Sequence, residues 1–149
     1  MFKQLVLPLI YSEPTDFDCV KVTTTNSQAI TWLKNWNDRL DVNFVCLVGS
    51  QAILLASIWG IENQACHLSN GQRLIEDWYS LIEQKHKSKC YVMTNPEFIE
   101  EEEVFLYVIN FIKERCFRLL LASVMSTDRW NITLPDLKSR ISTMNVINC

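Results

Sequence analysis

Phe44-Val45-Cys46-Leu47-Val48-Gly49-Ser50 is a continuous apolar run that stops at a glycine. A strand with one wet face alternates apolar and polar residues. A run that is apolar at every position has both faces covered, as in a parallel sheet flanked by helices. Ala52-Ile53-Leu54-Leu55-Ala56-Ser57-Ile58-Trp59 is again apolar, built of helix formers, with Gly60 behind it. The local pattern is strand, tight turn, buried helix, with Gly60 as the expected stop.

The same alternation runs outward in both directions. Upstream, Ala29, Trp32, Leu33 and Trp36 share one face at helical spacing. This predicts a helix over 27–38, capped by Thr25 or Asn26. Downstream, residues 65–68 predict a weak strand. Leu74, Ile75, Trp78, Leu81 and Ile82 mark an amphipathic helix that runs into Lys85-His86-Lys87, which suits a negative helix end. Cys90-Tyr91-Val92-Met93 reads as a third strand, stopped by Asn95-Pro96. Phe105, Val108, Ile109 and Ile112 form the stripe of a long helix expected over 97–116. Its Glu97 and Glu100, Glu101, Glu102 and Glu103 read as a solvated, dipole-matched helix start. Residues 119–124 and 144–147 predict the last two strands. Five strands alternating with helices, joined by right-handed crossovers, give one α/β domain with helices on both faces of a parallel sheet.

Composition narrows the function classes. The chain has 149 residues, enough for one domain that buries roughly two-thirds of its unfolded surface. Net charge is -3, which argues against a broad DNA-binding face, and only 3 glycines are present, few for a phosphate cradle. The six cysteines, Cys19, Cys46, Cys66, Cys90, Cys116 and Cys149, form no CxxC pair and several lie in apolar runs. Reduced, buried thiols in a cytoplasmic protein are expected, without a metal site. His67 and His86 are the only histidines, and neither has a nucleophile partner by spacing. No stretch is long enough to span a bilayer.

Residues 1–18 read as an extended arm, because Pro8 and Pro14 stop helix and 11–16 are polar. An apolar arm fits two roles: a strap on the domain's own core, or a docking peptide. Leu134-Pro135-Asp136-Leu137-Lys138-Ser139-Arg140 opens a short helix, with proline in the first turn and an acid behind it. Taken alone it is an ordinary surface helix that points one arginine outward.

Three stretches together resemble one family. Arg129-Trp130-Asn131-Ile132-Thr133-Leu134-Pro135-Asp136-Leu137-Lys138-Ser139-Arg140-Ile141 resembles the RW…LPDLxSRL segment of DnaA-related AAA+ proteins. Gln4-Leu5-Val6-Leu7-Pro8-Leu9 looks like the QLxLPL clamp-binding peptide of the Hda type, the regulators that act with the replicative sliding clamp to promote ATP hydrolysis by DnaA. Asn26-Ser27-Gln28-Ala29-Ile30-Thr31-Trp32, with Trp36, is similar to the first helix of these proteins. In order, the matches cover nearly the whole chain.

The resemblance implies a P-loop NTPase-like AAA+ core over 19–149, three-layered, with a five-stranded parallel sheet of order 5-1-4-3-2. It implies that Arg140 corresponds to the arginine finger, which steadies charge on a neighbouring subunit's nucleotide. Gln4, Leu5, Leu7, Pro8 and Leu9 would bind the sliding clamp, and DnaA would be a further partner. Ser123 and Ser126 lie near the family's polar sensor.

The departures from the family are as specific. A P-loop needs G-x-x-x-x-G-K-[ST]. Here Gly49-Ser50-Gln51 stands in a shorter loop, with no second glycine and no lysine between Lys34 and Lys85. These three residues read as a vestigial nucleotide loop. Thr94 and Asn95 stand where paired acids would hold magnesium, with Glu97 beyond the strand end. The helical lid that follows the fifth strand in the family has no counterpart before Cys149. The expectation is a non-hydrolysing, Hda-like regulator of replication initiation, with no ATP or ADP, no metal, no direct DNA contact and no membrane. The alternative is a weakly nucleotide-binding or relic AAA+ module that serves as an interaction scaffold.

Overall fold

The computed structural model describes residues 16–85 and 87–149. The expected clamp peptide, Gln4 to Leu9, and His86 lie outside the described residues. Five strands form one sheet: β1 (Phe44–Val48), β2 (Cys66–His67), β3 (Cys90–Thr94), β4 (Arg118–Ser123) and β5 (Asn145–Asn148). All pairings are parallel and the order is β2-β3-β4-β1-β5, which is the predicted order counted from the other edge. The helices are α1 (Ser27–Lys34), α2 (Ala52–Glu62), α3 (Leu74–Ile82), α4 (Glu102–Glu114) and α5 (Pro135–Ser142).

The strand period of two divides the core. Val45, Leu47, Leu120 and Ala122 face α1 and α2, whereas Cys46, Leu119 and Leu121 face α3, α4 and α5. Every one of these side chains is fully buried. That is why the central strands are apolar at every position. On the α1–α2 side Trp36 stacks on Trp59 at 5.0 Å, and its indole N–H donates to the Val42 carbonyl at 2.9 Å.

Several element ends differ from expectation. The first helix stops at Lys34, and Trp36–Asp38 forms a separate 3-10 turn. Asn26 precedes it but makes no side-chain cap. Its amide is buried and fastens the preceding turn, accepting from the Thr23 N–H and donating to the Lys21 carbonyl. The fourth helix starts at Glu102, five residues later than expected. Pro96 opens only one 3-10 turn, and Ile99 returns to extended backbone. Within the expected arm, Asp16 caps a short turn at Phe17–Cys19, and Phe17 is buried in the core against α2.

Gly60 does not end α2, which runs on to Glu62. A Cβ at Gly60 would lie 3.4 Å from a Val92 methyl, so the small residue lets the helix lie close to the sheet. The helix ends at Gln64, in the left-handed region at φ 52°, with the Ala65 N–H returning to the Gly60 carbonyl at 2.8 Å. Gln84 closes α3 and Cys116 closes α4 in the same way, at φ 56° and 58°. The bonds Lys85 N–H to Ser80 C=O and Phe117 N–H to Ile112 C=O complete these two Schellman ends. With so few glycines in the chain, three helix ends carry left-handed residues with full side chains.

Candidate functional site

The carboxyl edge of the sheet collects the β1–α2 turn, the end of β3, the end of β4 and the end of β5. Gly49, Ser50 and Gln51 make the β1–α2 turn. The Gly49 N–H donates to the Ser123 carbonyl at 2.9 Å, and the Ala52 N–H returns to the Gly49 carbonyl at 3.2 Å. The end of β5 then closes over the turn. The Cys149 N–H donates to the Val48 carbonyl at 2.8 Å, and the Cys149 carbonyl accepts the Gln51 N–H at 3.3 Å. Gly49 sits at φ 133°, and a Cβ there would lie 1.9 Å from the Cys149 oxygen. Its glycine is therefore required by the close approach of backbone to backbone. Burial also raises the Cys149 thiol to about 11.

Next along this edge, Asn95 follows β3 in the left-handed region at φ 53°. Asn70 fastens it, donating its side-chain N–H to the carbonyls of Thr94 and Asn95 at 3.2 and 3.0 Å. Glu97 follows in the 3-10 turn, and its buried Oε1 has no hydrogen-bond partner among the described residues. Ser123 is fully buried at the end of β4 and accepts the Met125 N–H at 2.9 Å. Ser126 bonds to Asp128 instead, holding that exposed carboxyl below its usual range. Among the described residues, no group of three His, Cys, Asp or Glu side chains is placed to hold a metal ion.

Arg140 lies at the opposite edge. It is half-buried near the end of α5, in a cavity of about 200 Å³ at the amino ends of the strands. Asp41, Asn43, Lys113 and Asn145 also line this cavity. The guanidinium makes no ion pair among the described residues. The five residues of β1 separate the two edges, roughly 16 Å at about 3.3 Å per residue. Gly49 and Arg140 therefore stand at opposite edges of the sheet.

The helix that carries Arg140 is firmly built. Leu137 and Ile141 are buried, while Asp136, Lys138 and Ser139 face solvent. Trp130 is buried before it, and its indole N–H donates to the Met125 carbonyl at 3.0 Å. Glu102 holds the helix start. Its carboxylate accepts the Leu134 N–H at 2.7 Å, the Thr133 N–H at 3.0 Å and the Thr133 hydroxyl at 3.0 Å. By sequence alone, Glu102 belongs to a solvated acidic block. No local pattern could have joined it to a partner 32 residues away.

No protein-family model matches the sequence, and no curated protein matches it. Solved structures do match. Replication initiator DnaA, bound to AMPPCP and single-stranded DNA, superposes with TM-score 0.73 at 13% identity, over 90% of this chain and 49% of that one. DnaI gives 0.59 at 13%, over 95% and 89%. RuvB from Thermotoga maritima gives 0.59 at 14%, over 92% and 48%. This is the AAA+ P-loop NTPase fold. At these identities the likeness is one of fold, and the chain spans about half the length of the DnaA it matches. No described helix is long and apolar enough to cross a membrane.

Proposed function

We propose that this AAA+ domain is a regulator of replication initiation of the Hda type, which acts by contact and hydrolyses no nucleotide itself. Its fold neighbours include DnaA and DnaI, and the RW…LPDLxSR segment is held as a packed, anchored helix. One observation carries the reading: the turn that would cradle phosphate is closed by the chain's own backbone at Cys149. A triphosphate with magnesium does not fit the residues present. The cradle needs free N–H groups, a lysine and a hydroxyl on the metal. The Gln51 N–H is engaged by Cys149, and no lysine follows the turn in the chain before Lys85.

In this reading Gln4 supplies hydrogen bonds to the sliding clamp, while Leu5, Leu7, Pro8 and Leu9 fill an apolar clamp pocket. Arg140 is offered to the nucleotide of DnaA. It stays charged and presents a planar fork of donors, the chemistry that a developing phosphoryl charge needs from a partner. The opposite-edge placement supports a role in trans, since Arg140 cannot reach the chain's own Gly49 turn.

Two measurements test this. Clamp pull-down should recover the wild-type protein and lose the Gln4→Ala/Leu7→Ala variant; equal recovery sinks the clamp contact. Wild type with loaded clamp should stimulate ATP hydrolysis by DnaA, and Arg140→Ala should not; equal stimulation removes the finger role. If the clamp contact holds and no stimulation occurs, the scaffold reading stands. Calorimetric titration with ATP or ADP and magnesium should show no binding heat.

A further inference from the structure

The net charge of -3 averages over two unlike edges of the sheet. Glu97, the block 100–103, Asp128 and Asp136 gather at the carboxyl edge, whereas the amino edge carries two groups of cations. Lys113 and Arg140 share the first cavity there with Asp41. Lys87, Lys89 and Arg115 share a second, of about 120 Å³, and no acid lines it. In sequence the adjoining acids are Glu83, which pairs with Lys85 at 3.4 Å, and Glu114. The two cavities have no lining residue in common.

The second cavity lies where the ends of α3 and α4 meet the starts of β3 and β4. Both helix ends are fixed by their left-handed closures at Gln84 and Cys116. The Lys89 carbonyl accepts the Arg118 N–H at 2.9 Å, which ties the segment before β3 to β4. Backbone bonds thus preform the wall. Its apolar part is aromatic: the Phe117 ring lies 6.0 Å from Tyr91 and 6.3 Å from Phe111. Its neutral donors are mostly spent. The Tyr91 hydroxyl donates to the Ser88 carbonyl at 3.0 Å, and the Ser88 hydroxyl donates to the Cys90 carbonyl at 2.9 Å. What remains to meet a ligand's polar group is the Gln84 amide and three cations.

Those cations are exposed, and none is in an ion pair among the described residues. A cation at a helix end ordinarily answers the helix dipole, and that accounts for Arg115. It does not account for Lys87 and Lys89, because the effect fades within the last turn and α3 ends at Ile82. Arg115 lies over the Phe111 ring at 4.8 Å, which holds its charge beside the aromatic wall. Size restricts the ligand further. An apolar cavity of about 150 Å³ admits benzene. This one has room for a single ring, and a nucleoside is too large for it.

We infer that this cavity binds a monocyclic aromatic carboxylate. The ring packs against Phe111 and Phe117, and the carboxylate lies among Lys87, Lys89 and Arg115 at the rim. Aromatic rings favour offset or edge-on neighbours, and a guanidinium fork matches a carboxylate. The site is apart from Arg140, the Gly49 turn and residues 4–9, so it stands or fails independently of the contacts proposed above.

The test is a titration of the 15N-labelled full chain with sodium benzoate at constant ionic strength, followed by NMR. Amide signals around Gln84, Ser88 and Phe117 should shift, with a Kd on the order of 1 mM for so small a ligand. Benzyl alcohol keeps the ring without the charge, and inorganic phosphate keeps charge without the ring. Each should bind about tenfold more weakly or worse, since each lacks one of the two contacts. Lys87→Gln/Lys89→Gln/Arg115→Gln should weaken benzoate by about tenfold or more. Arg73→Gln/Lys138→Gln, outside the cavity, should leave it unchanged. Signal dispersion checks that both variants are folded, and the two analogues test the wild type without any substitution. The inference is overturned if no signal shifts, if shifts centre elsewhere, if either analogue matches benzoate, or if both variants lose binding equally. It is also overturned if benzoate is ignored while an acidic peptide carrying one phenylalanine shifts these signals.

Discussion

The Glu102 carboxylate receives the Leu134 N–H at 2.7 Å, so the first turn of α4 holds the first turn of α5. Leu134 at the N-cap has no side-chain acceptor, so the helix start lacks a cap of its own. An acid from a different helix takes that role, and it suits the positive end of α5. Glu102→Gln keeps the shape and removes the charge. It should cost about 1–2 kcal/mol, because a hydrogen bond to a charged group is lost at a half-exposed site. Thermal unfolding should show Tm lower by about 3–6 °C. An unchanged Tm would mean that packing of Leu137 and Ile141 alone sets the helix.

Gly49 is a position where the backbone itself needs glycine. Gly49→Ala should destabilise by about 3 kcal/mol, since the added methyl meets the Cys149 carbonyl and the φ suits no other residue well. Urea unfolding would measure it. A neutral substitution would mean that the end of β5 can move away from the turn, and that the closure is loose.

Gln64, Gln84 and Cys116 each occupy a left-handed helix end with a side chain. Replacing any of them by glycine should stabilise the protein by about 0.5–1 kcal/mol. The three sites lie on different helices, so their effects should add in the triple variant. Loss of stability in any one would point to a side-chain contact that outweighs the backbone relief.

Burial pushes the Cys46 thiol up to about 12 and Cys149 up to about 11, from an ordinary value near 9. Unfolded, these thiols ionise above about pH 9 while the folded ones stay neutral. The folded state then binds more protons, so stability is full below pH 9 and falls as pH rises towards 12. Each such thiol contributes a slope of about 1.4 kcal/mol per pH unit in that window. Tyr91, also raised to about 12, adds to the loss above pH 10. Cys46→Ala will be less stable at neutral pH, yet its decline between pH 8 and 10 should be shallower by about 1 kcal/mol. Parallel urea midpoints across that range would rule the thiol out as a cause.

The central strands were legible because complete burial leaves a direct mark. No position from Phe44 to Val48 can be polar when helices cover both faces. Helix ends were harder to read. Gly60 looked like a stop, but it serves close packing against Val92, and the real stop is Gln64, a residue with no glycine-like signature. Pro96 looked like the start of a long helix and opens a single turn. At the site, the sequence shows that no lysine lies between Lys34 and Lys85. The crossing of Cys149 over Gly49 was not legible, because it joins residues 100 apart and leaves no local pattern. Glu102 escaped for the same reason, and net charge concealed the separation of sign between the two edges.

The distance between the Gly49 turn and Arg140 makes the chain one-sided. A subunit with both features can take a neighbour on either side and extend a row indefinitely. This one has an open arginine at one edge and a sealed turn at the other. In the proposed reading, a copy joined through Arg140 to a row of DnaA would offer no cradle to the next arginine and would therefore end that row.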